Sequence, residues 1–277
     1  PYRRKPITLS CLPVSLFKEM TSGAMTIPQW AELAGRIGFD GFDISSMFIK
    51  NHTPVYLNQL KKELARQPLP LVMMTAYPDF TVPDCVQRER EEAYFLADLA
   101  AASQLGCRYL RITAGQFYPD TNISQTMEQV MEILKKMREA AEQSQVRLVY
   151  ENHAKPSAWE YFDFTYDPEL FLEICGRLRK IDIGVNFDVG NLTAFGTDPL
   201  EILRRIYGQV ETVHISDMKE YGSFCPTAIG RGKAPVAEVL QFLKDRSFSG
   251  WVSVEEASEH GYTGIRDAYV YIKENLE

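Results

Sequence analysis

LVYENH (148–153), IGVNFDVGN (183–191), TVHISD (212–217) and WVSVEE (251–256) are four short, β-branched runs, each carrying a carboxylate or imidazole near its end: Glu151, Asp188, His214 and Glu255. These residues lie 37, 26 and 41 positions apart, as they would if strands alternated with helices. The alternation runs through the whole chain. Strands are expected near 7–11, 39–44, 70–75, 108–113, 146–151, 182–188, 210–215 and 250–255, with amphipathic helical segments between and after them. Thr26-Ile27-Pro28, Asp167-Pro168-Glu169 and Asp198-Pro199-Leu200 each combine a capping side chain with an early proline, which opens a helix. Gly38, Gly106 and Gly208 are placed to close helices shortly before the next strand. Eight such units in 277 residues, with no Gly/Ser/Pro-rich linker, predict an α/β fold in which residues 1–277 form a single (β/α)8 TIM barrel domain.

Side-chain parity tells the pocket from the outside of that barrel, because alternate strand residues face the interior and the helices. Val213 and Ile215 face the helices and Thr212, His214 and Ser216 face in; Val252 and Val254 face out while Ser253 and Glu255 face in. Asn186 and Asp188 point inward against Val185 and Phe187. The same parity selects Glu255 over its neighbour Glu256. All four candidates then fall at the C-terminal strand ends, where barrels of this kind carry their active sites.

The formal charge of -7 disfavours broad attraction to phosphate backbones, so nucleic acid is not the expected partner. Five cysteines, odd in number and without a CxxC pair, read as reduced, mostly buried thiols in a cytoplasmic protein. RRK (3–5) followed by ITLSCLPVSLF (7–17) loosely imitates a secretory signal, but Ser10, Pro13 and Ser15 interrupt the apolar run and Lys18 and Glu19 close it. The segment reads better as a first strand. No stretch approaches 18 uninterrupted apolar residues, so no membrane span is expected. The sequence leaves open whether the chain forms a homo-oligomer.

Three carboxylates and one imidazole form a hard, mostly oxygen donor set, which suits Mn²⁺ or Mg²⁺ and tolerates Co²⁺ or Zn²⁺. Any one of these residues alone could be an ordinary hydrogen-bonding side chain at the barrel mouth. Together they argue for a single divalent metal ion, because desolvating three carboxylates in one pocket is costly without a cation.

Glu-Asn-His at strand five, Asp-x-Gly-Asn at strand six, His-x-x-Asp at strand seven and Ser-Val-Glu at strand eight resemble the xylose isomerase-like barrels over essentially the whole chain. That superfamily includes sugar-phosphate isomerases, ketose 3-epimerases, inosose and 3-dehydroshikimate dehydratases and endonuclease IV. The resemblance implies that Glu151, Asp188, His214 and Glu255 hold one divalent metal, and that Glu151 and Glu255 also shuttle protons, as in the epimerase branch. Removing a proton next to a carbonyl needs a base at the carbon and a cation at the oxygen, and this pocket offers both. The expected function is therefore isomerisation or epimerisation of a small sugar or sugar-like keto compound.

Further substrate-binding candidates are His153, on the same face as Glu151; Arg111, inward with Tyr109 and Thr113 in LRITAGQ (110–116); Tyr77 in TAYPDF (75–80); and Asn191. Arg231, in Gly230-Arg231-Gly232-Lys233, is a candidate anion holder, with a solvated basic loop as the alternative. The aromatics Trp159, Tyr161, Phe162 and Phe164 either wall the pocket or pack the loop on the barrel. Tyr77, Arg111 and His153 also match substrate-handling positions of 3-dehydroshikimate dehydratases, which makes a metal-dependent lyase similar to 3-dehydroshikimate dehydratase or inosose dehydratase the main alternative. Asn191 departs from the histidine usual there in that family. Four histidines in all, Asn191 and the net acidity argue against a nuclease with a three-zinc cluster. A barrel that binds without turnover is the alternative from another class.

Overall fold

In the computed structural model, which describes residues 7–156 and 158–277, strand and helix alternate as the periodicity predicts. The RRK run (3–5) lies outside the described residues. The strands are β1 (Thr8–Cys11), β2 (Phe42–Ser45), β3 (Leu71–Thr75), β4 (Tyr109–Ile112), β5 (Arg147–Glu151), β6 (Gly184–Asp188), β7 (Val210–Ile215) and β8 (Trp251–Val254). The helices are α1 (Phe17–Ser22), α2 (Ile27–Ile37), α3 (Pro54–Leu64), α4 (Cys85–Leu105), α5 (Ile123–Gln143), α6 (Pro168–Leu178), α7 (Val189–Phe195), α8 (Pro199–Ile206), α9 (Val236–Asp245) and α10 (Gly261–Leu276). All seven strand ladders are parallel, running from β2 through β8 in order and then to β1, so the sheet curls into a nearly closed TIM barrel.

The seam between β1 and β2 is closed without a regular ladder. Asp40 and Gly41 donate their amides to Leu9 O at 2.8 and 3.2 Å, and Leu9 N donates back to Asp40 Oδ2 at 2.8 Å. This explains why β2 begins at Phe42 and not at 39: the preceding residues make the bridge. Below the site, the buried Asp43 ties four strands together, accepting from Ser10 Oγ (2.8 Å), Ser253 Oγ (2.5 Å) and Met73 N (3.0 Å). A side-chain network thus replaces the missing ladder bonds across the seam.

The parity reading holds. Val185, Phe187, Val213, Ile215, Val252 and Val254 lie in the main core between sheet and helices. A separate small cluster of Val72, Met73, Tyr109 and Val149, with Trp251 against it, fills the lower barrel. Two positions further along β3, β4, β5 and β8 come Thr75, Arg111, Glu151 and Ser253, which raise the interior from an apolar plug to a polar floor. Thr26, Asp167 and Asp198 cap α2, α6 and α8 as predicted, and Gly38 and Gly106 close α2 and α4 at φ 115° and 76°. Gly208 differs: it sits inside a 3₁₀ turn, Tyr207–Gln209, after α8 has ended. Among the described residues no helix is long and apolar enough to cross a membrane, and the five cysteines are free thiols.

Candidate metal centre and substrate cavity

Glu151 and Asp188 end β5 and β6, His214 lies near the end of β7, and Glu255 follows β8 directly; the first three converge as one group, and Glu255 stands beside it against His214. One donor atom each from Glu151, Asp188 and His214 lies within 4.8 Å of the others. His214 Nδ1 stands 2.6 Å from Glu151 Oε1 and 3.1 Å from Glu255 Oε1. Yet neither imidazole nitrogen, nor Glu151 Oε2, has a hydrogen-bond partner among the described residues. Buried polar atoms are rarely left so. His214 lies within ion-pair distance of two carboxylates, and a set of carboxylate oxygens with one imidazole nitrogen, its Nε2 and Glu151 Oε2 otherwise unpartnered, is one that could hold a divalent cation.

The surrounding residues aim these donors. Asn186 Nδ2 donates to Glu151 Oε1 at 2.6 Å and is itself fixed by Thr212 Oγ1, which donates to Asn186 Oδ1 at 2.6 Å. Asn152 pairs with the peptide groups of Asp188, accepting from its N at 2.8 Å and donating to its O at 2.7 Å. The Asp188 carboxylate caps α7, accepting from Asn191 N at 2.6 Å, and takes Ser216 Oγ at 3.0 Å from each oxygen. Burial, with the Glu255 and Glu151 charges beside it, pushes the Asp188 carboxyl well above its ordinary value. Burial alone would lower the His214 imidazole, but Glu255 and Glu151 raise it well above its ordinary value. Burial would likewise raise Glu151, but Arg111 and His214 hold it down at about 2. The cluster is thus short of positive charge, which a metal ion would supply.

Gly190 permits this arrangement. A Cβ there would run into Ser216 Oγ and come within 3.0 Å of the Ser216 carbonyl carbon and 3.1 Å of Met218 Cε. Gly190→Ala is expected to push Ser216 off Asp188 and to destabilise the fold by about 1–3 kcal/mol. A drop in urea midpoint together with weaker Mn²⁺ binding would show it, and unchanged values of both would refute it.

Above the cluster opens a cavity of about 430 Å³, lined by Tyr77, Arg111, His153 and Asn191 together with Glu255 and Ser216. Arg111 is fully buried, with Nε 3.4 Å from Glu151 Oε2 and its guanidinium 4.5 Å over the Tyr77 ring. His153 stands edge-on to Tyr77 and Trp159, and burial and the Arg111 charge lower it to about 4, so the ring is neutral. Glu255 lines the cavity and keeps 17% of its side chain exposed, whereas Glu151 is sealed beneath it. Glu256 turns away, taking Ser15 Oγ and Ser258 N.

Residues 31–275 match the family described as the xylose isomerase-like TIM barrel. The chain belongs to that family. No curated protein matches the sequence significantly. Among solved structures, the barrel is similar to a D-tagatose 3-epimerase-like protein (TM-score 0.78, 17% identity, 98% of this chain and 97% of that one). It is also similar to the IOLI protein with a bound zinc atom (0.77, 18%, 98% and 99%). A third likeness is to AsbF, the probable 3-DHS dehydratase of Bacillus anthracis (0.76, 15%, 96% and 99%). At these identities the likeness establishes the fold.

Arg231 does not line the cavity of this xylose isomerase-like barrel. It is exposed and borders a separate surface cleft with His260 and Asp267. The Gly-Arg-Gly-Lys segment owes its shape to Asp217, whose carboxylate accepts the amides of Gly230, Gly232 and Ala234 at 3.0, 2.9 and 3.0 Å. The strand-five aromatics mostly pack the loop: Phe164 stacks on Phe117 at 5.7 Å, Phe162 on Tyr166 at 4.6 Å, and Tyr161 meets Tyr118 at 5.5 Å. Trp159 stays closest to the site, behind His153.

Sequence reasoning gave no role to Asn152, which holds the Asp188 peptide, to Ser216, or to Lys155, which lines the cavity. Inward parity placed Ser216, but nothing local showed that its hydroxyl reaches Asp188. Gln116 is the hub that holds the rim together: its Oε1 accepts the amides of Glu160 and Tyr161 at 2.7 and 2.9 Å while its Nε2 donates to Asp79 Oδ2 at 2.8 Å. Nearby, Asp163 accepts from Thr165 N and Oγ1 at 2.8 and 2.9 Å through one oxygen, and its other oxygen has no partner among the described residues. Burial pushes this carboxyl up to about 8. A carboxyl raised on folding stabilises fully below its unfolded value, near 4, and loses that contribution as pH rises through about 8. Wild-type stability is therefore expected to fall across that window more steeply than that of Asp163→Asn. Parallel urea midpoints from pH 4 to pH 8 would contradict this.

Proposed function

We propose that this barrel is a divalent-metal-dependent isomerase or epimerase of a sugar or sugar-like keto compound. The main support is the convergence of Glu151, Asp188, His214 and Glu255, in which two carboxylates flank one imidazole nitrogen at 2.6 and 3.1 Å and one of them opens on the cavity. A divalent ion held by these four, with Mn²⁺ or Mg²⁺ favoured by the oxygen-rich set and Co²⁺ or Zn²⁺ tolerated, would supply positive charge where a substrate oxygen turns anionic. Glu255, facing the cavity, takes the proton from the carbon next to the carbonyl. Returned by Glu255 to the adjacent carbon, that proton gives isomerisation; return to the other face, which gives epimerisation, would fall to Glu151, held in place by Asn186 and Arg111, once it has taken up a proton and a bound substrate reaches down to it. Tyr77, His153, Asn191 and the outer edge of Arg111 hold the substrate's hydroxyl groups. The partner is a small molecule, and a cytoplasmic location belongs to the same reading.

The test is solvent exchange. Protein loaded with Mn²⁺ and given a panel of ketoses in D₂O is expected to place deuterium next to the carbonyl of at least one of them. His214→Ala is expected to lose its bound metal. No deuterium at any carbon would remove the isomerase reading, and full metal occupancy in His214→Ala would remove the ligand assignment. The Tyr77, Arg111 and His153 cluster favours a second reading, dehydration of a cyclic keto-acid. A new aromatic absorbance from 3-dehydroshikimate would establish that one in place of the first.

A further inference from the structure

Two of the three carboxylates at the site are aimed by partners of their own. Asn186 holds Glu151, and Ser216 with the Asn191 amide holds Asp188. Among the described residues Glu255 has no such support; its polar contact is His214 Nδ1 at 3.1 Å. It also stands one residue beyond β8, which ends at Val254, where the ladder no longer dictates which side chain faces the interior. Rotation of the chain at that one residue would exchange Glu255 for Glu256 at the cavity.

Glu256 removes that freedom. Its side chain is fully buried, accepting from Ser15 Oγ and, at 2.8 Å, from Ser258 N, and its backbone oxygen accepts from Ser15 N at 2.9 Å. The Ser15 hydroxyl accepts in turn from Glu259 N at 3.1 Å. The carboxylate lies against the first turn of α10, where His260 offers no side-chain cap and a negative charge is favoured. Gly264 leaves it room: a Cβ there would stand 2.5 Å from Glu256 Oε2, 2.8 Å from its Cδ and 3.0 Å from Ser258 Oγ. The segments after β1 and β8 and the start of α10 thus meet on one buried carboxylate. Turning it elsewhere would strip it of partners at a desolvation cost.

We infer that Glu256 is the positioning residue of Glu255: clasped by Ser15, Ser258 and the first turn of α10, it fixes the end of β8 so that Glu255 faces His214 and the cavity. Consecutive side chains on the outgoing strand point to opposite sides, so holding one outward holds the other inward. This rests on the metal and isomerase reading for what Glu255 does once placed, while the placement stands on the clasp alone. Ser15, Glu256, Ser258 and Gly264 do not line the cavity, so they act on it through the backbone.

Mn²⁺ affinity, measured by calorimetry, reports the placement without turnover. Glu256→Gln, which turns one acceptor into a donor, and Ser15→Ala are each expected to weaken Mn²⁺ binding about tenfold, the lower end of the range that residues behind a metal ligand contribute. Gly264→Ala, a replacement that ordinarily favours a helix, is expected to do the same. In a Glu255→Ala background Glu256→Gln is expected to bring no further loss, because the residue it places is gone. Thermal unfolding checks the fold, and Ser15→Ala, the loss of one hydroxyl, carries the test if Glu256→Gln does not fold. Unchanged affinity in the folded variants would overturn the inference, as would a full additional loss in the Glu255→Ala background, which would mark a merely structural role. Crystal structures of the metal-free wild type and Glu256→Gln keep the two readings apart. Glu255 turned away from His214 in the variant, with no Mn²⁺ bound by the wild type, would keep the positioning and remove the metal, whereas tight Mn²⁺ binding with Glu255 unmoved would do the reverse.

Discussion

Glu255→Gln is expected to lower turnover by about 10²–10⁴-fold, the range over which positioned acid–base groups contribute. Of the four converging residues, Glu255 is the one that lines the cavity. Glu151 and His214 are fully buried beneath it, and Asp188 is occupied by Ser216 and the first turn of α7. In the proposed reaction, a proton leaving the substrate would therefore meet Glu255 first. Glutamine keeps the volume and one oxygen for the metal but removes the basic site, so metal occupancy should fall much less than in His214→Ala. Deuterium wash-in at the substrate carbon should disappear along with turnover. If Glu255→Gln still exchanged while Glu151→Gln did not, the proton would be leaving by the buried carboxylate and the assigned order would be reversed.

The part of this site that could be read from the chain is the part governed by short-range periodicity. Thr212, Val213, His214 and Ile215 alternate in polarity because one side faces the interior and the other the helices, and that alternation alone separates Glu255 from Glu256. The structure keeps the distinction, with Glu256 tied to Ser15 and Ser258 outside the cavity. What could not be read depends on contacts between distant residues. Asp43 looks like any strand aspartate until folding brings Ser10 and Ser253 to the same oxygen. Arg231 and its flanking glycines read as a candidate anion holder or a solvated basic loop, and nothing local showed that the segment takes its shape from Asp217, whose carboxylate accepts amides thirteen to seventeen residues along. The apolar part of the cavity lining could not be read for the same reason. Leu12, Met47 and Phe224 belong to three loops, and only closure of the barrel puts them on one cavity.

Arg111 is where fold and chemistry meet, and Arg111→Met is expected to destabilise the metal-free protein by about 3 kcal/mol. That is the lower end of the roughly 3–5 kcal/mol for breaking a buried ion pair, chosen because the 3.4 Å approach of Nε to Glu151 Oε2 lacks hydrogen-bond geometry. Methionine fills most of the space but leaves Glu151 facing Asp188 and Glu255 without the guanidinium that offsets their repulsion. A bound divalent ion would offset the same repulsion, so the deficit should shrink as Mn²⁺ is raised, by ordinary ligand linkage. Urea midpoints with chelator and with saturating Mn²⁺ measure this directly. Were Arg111 only a clamp for substrate, the variant would lose affinity in KM and unfold at the wild-type midpoint in chelator. A metal-dependent stability deficit would instead show that Arg111 balances the charge of the site before substrate arrives, and that its partner carboxylate must be kept ionised for the site to assemble.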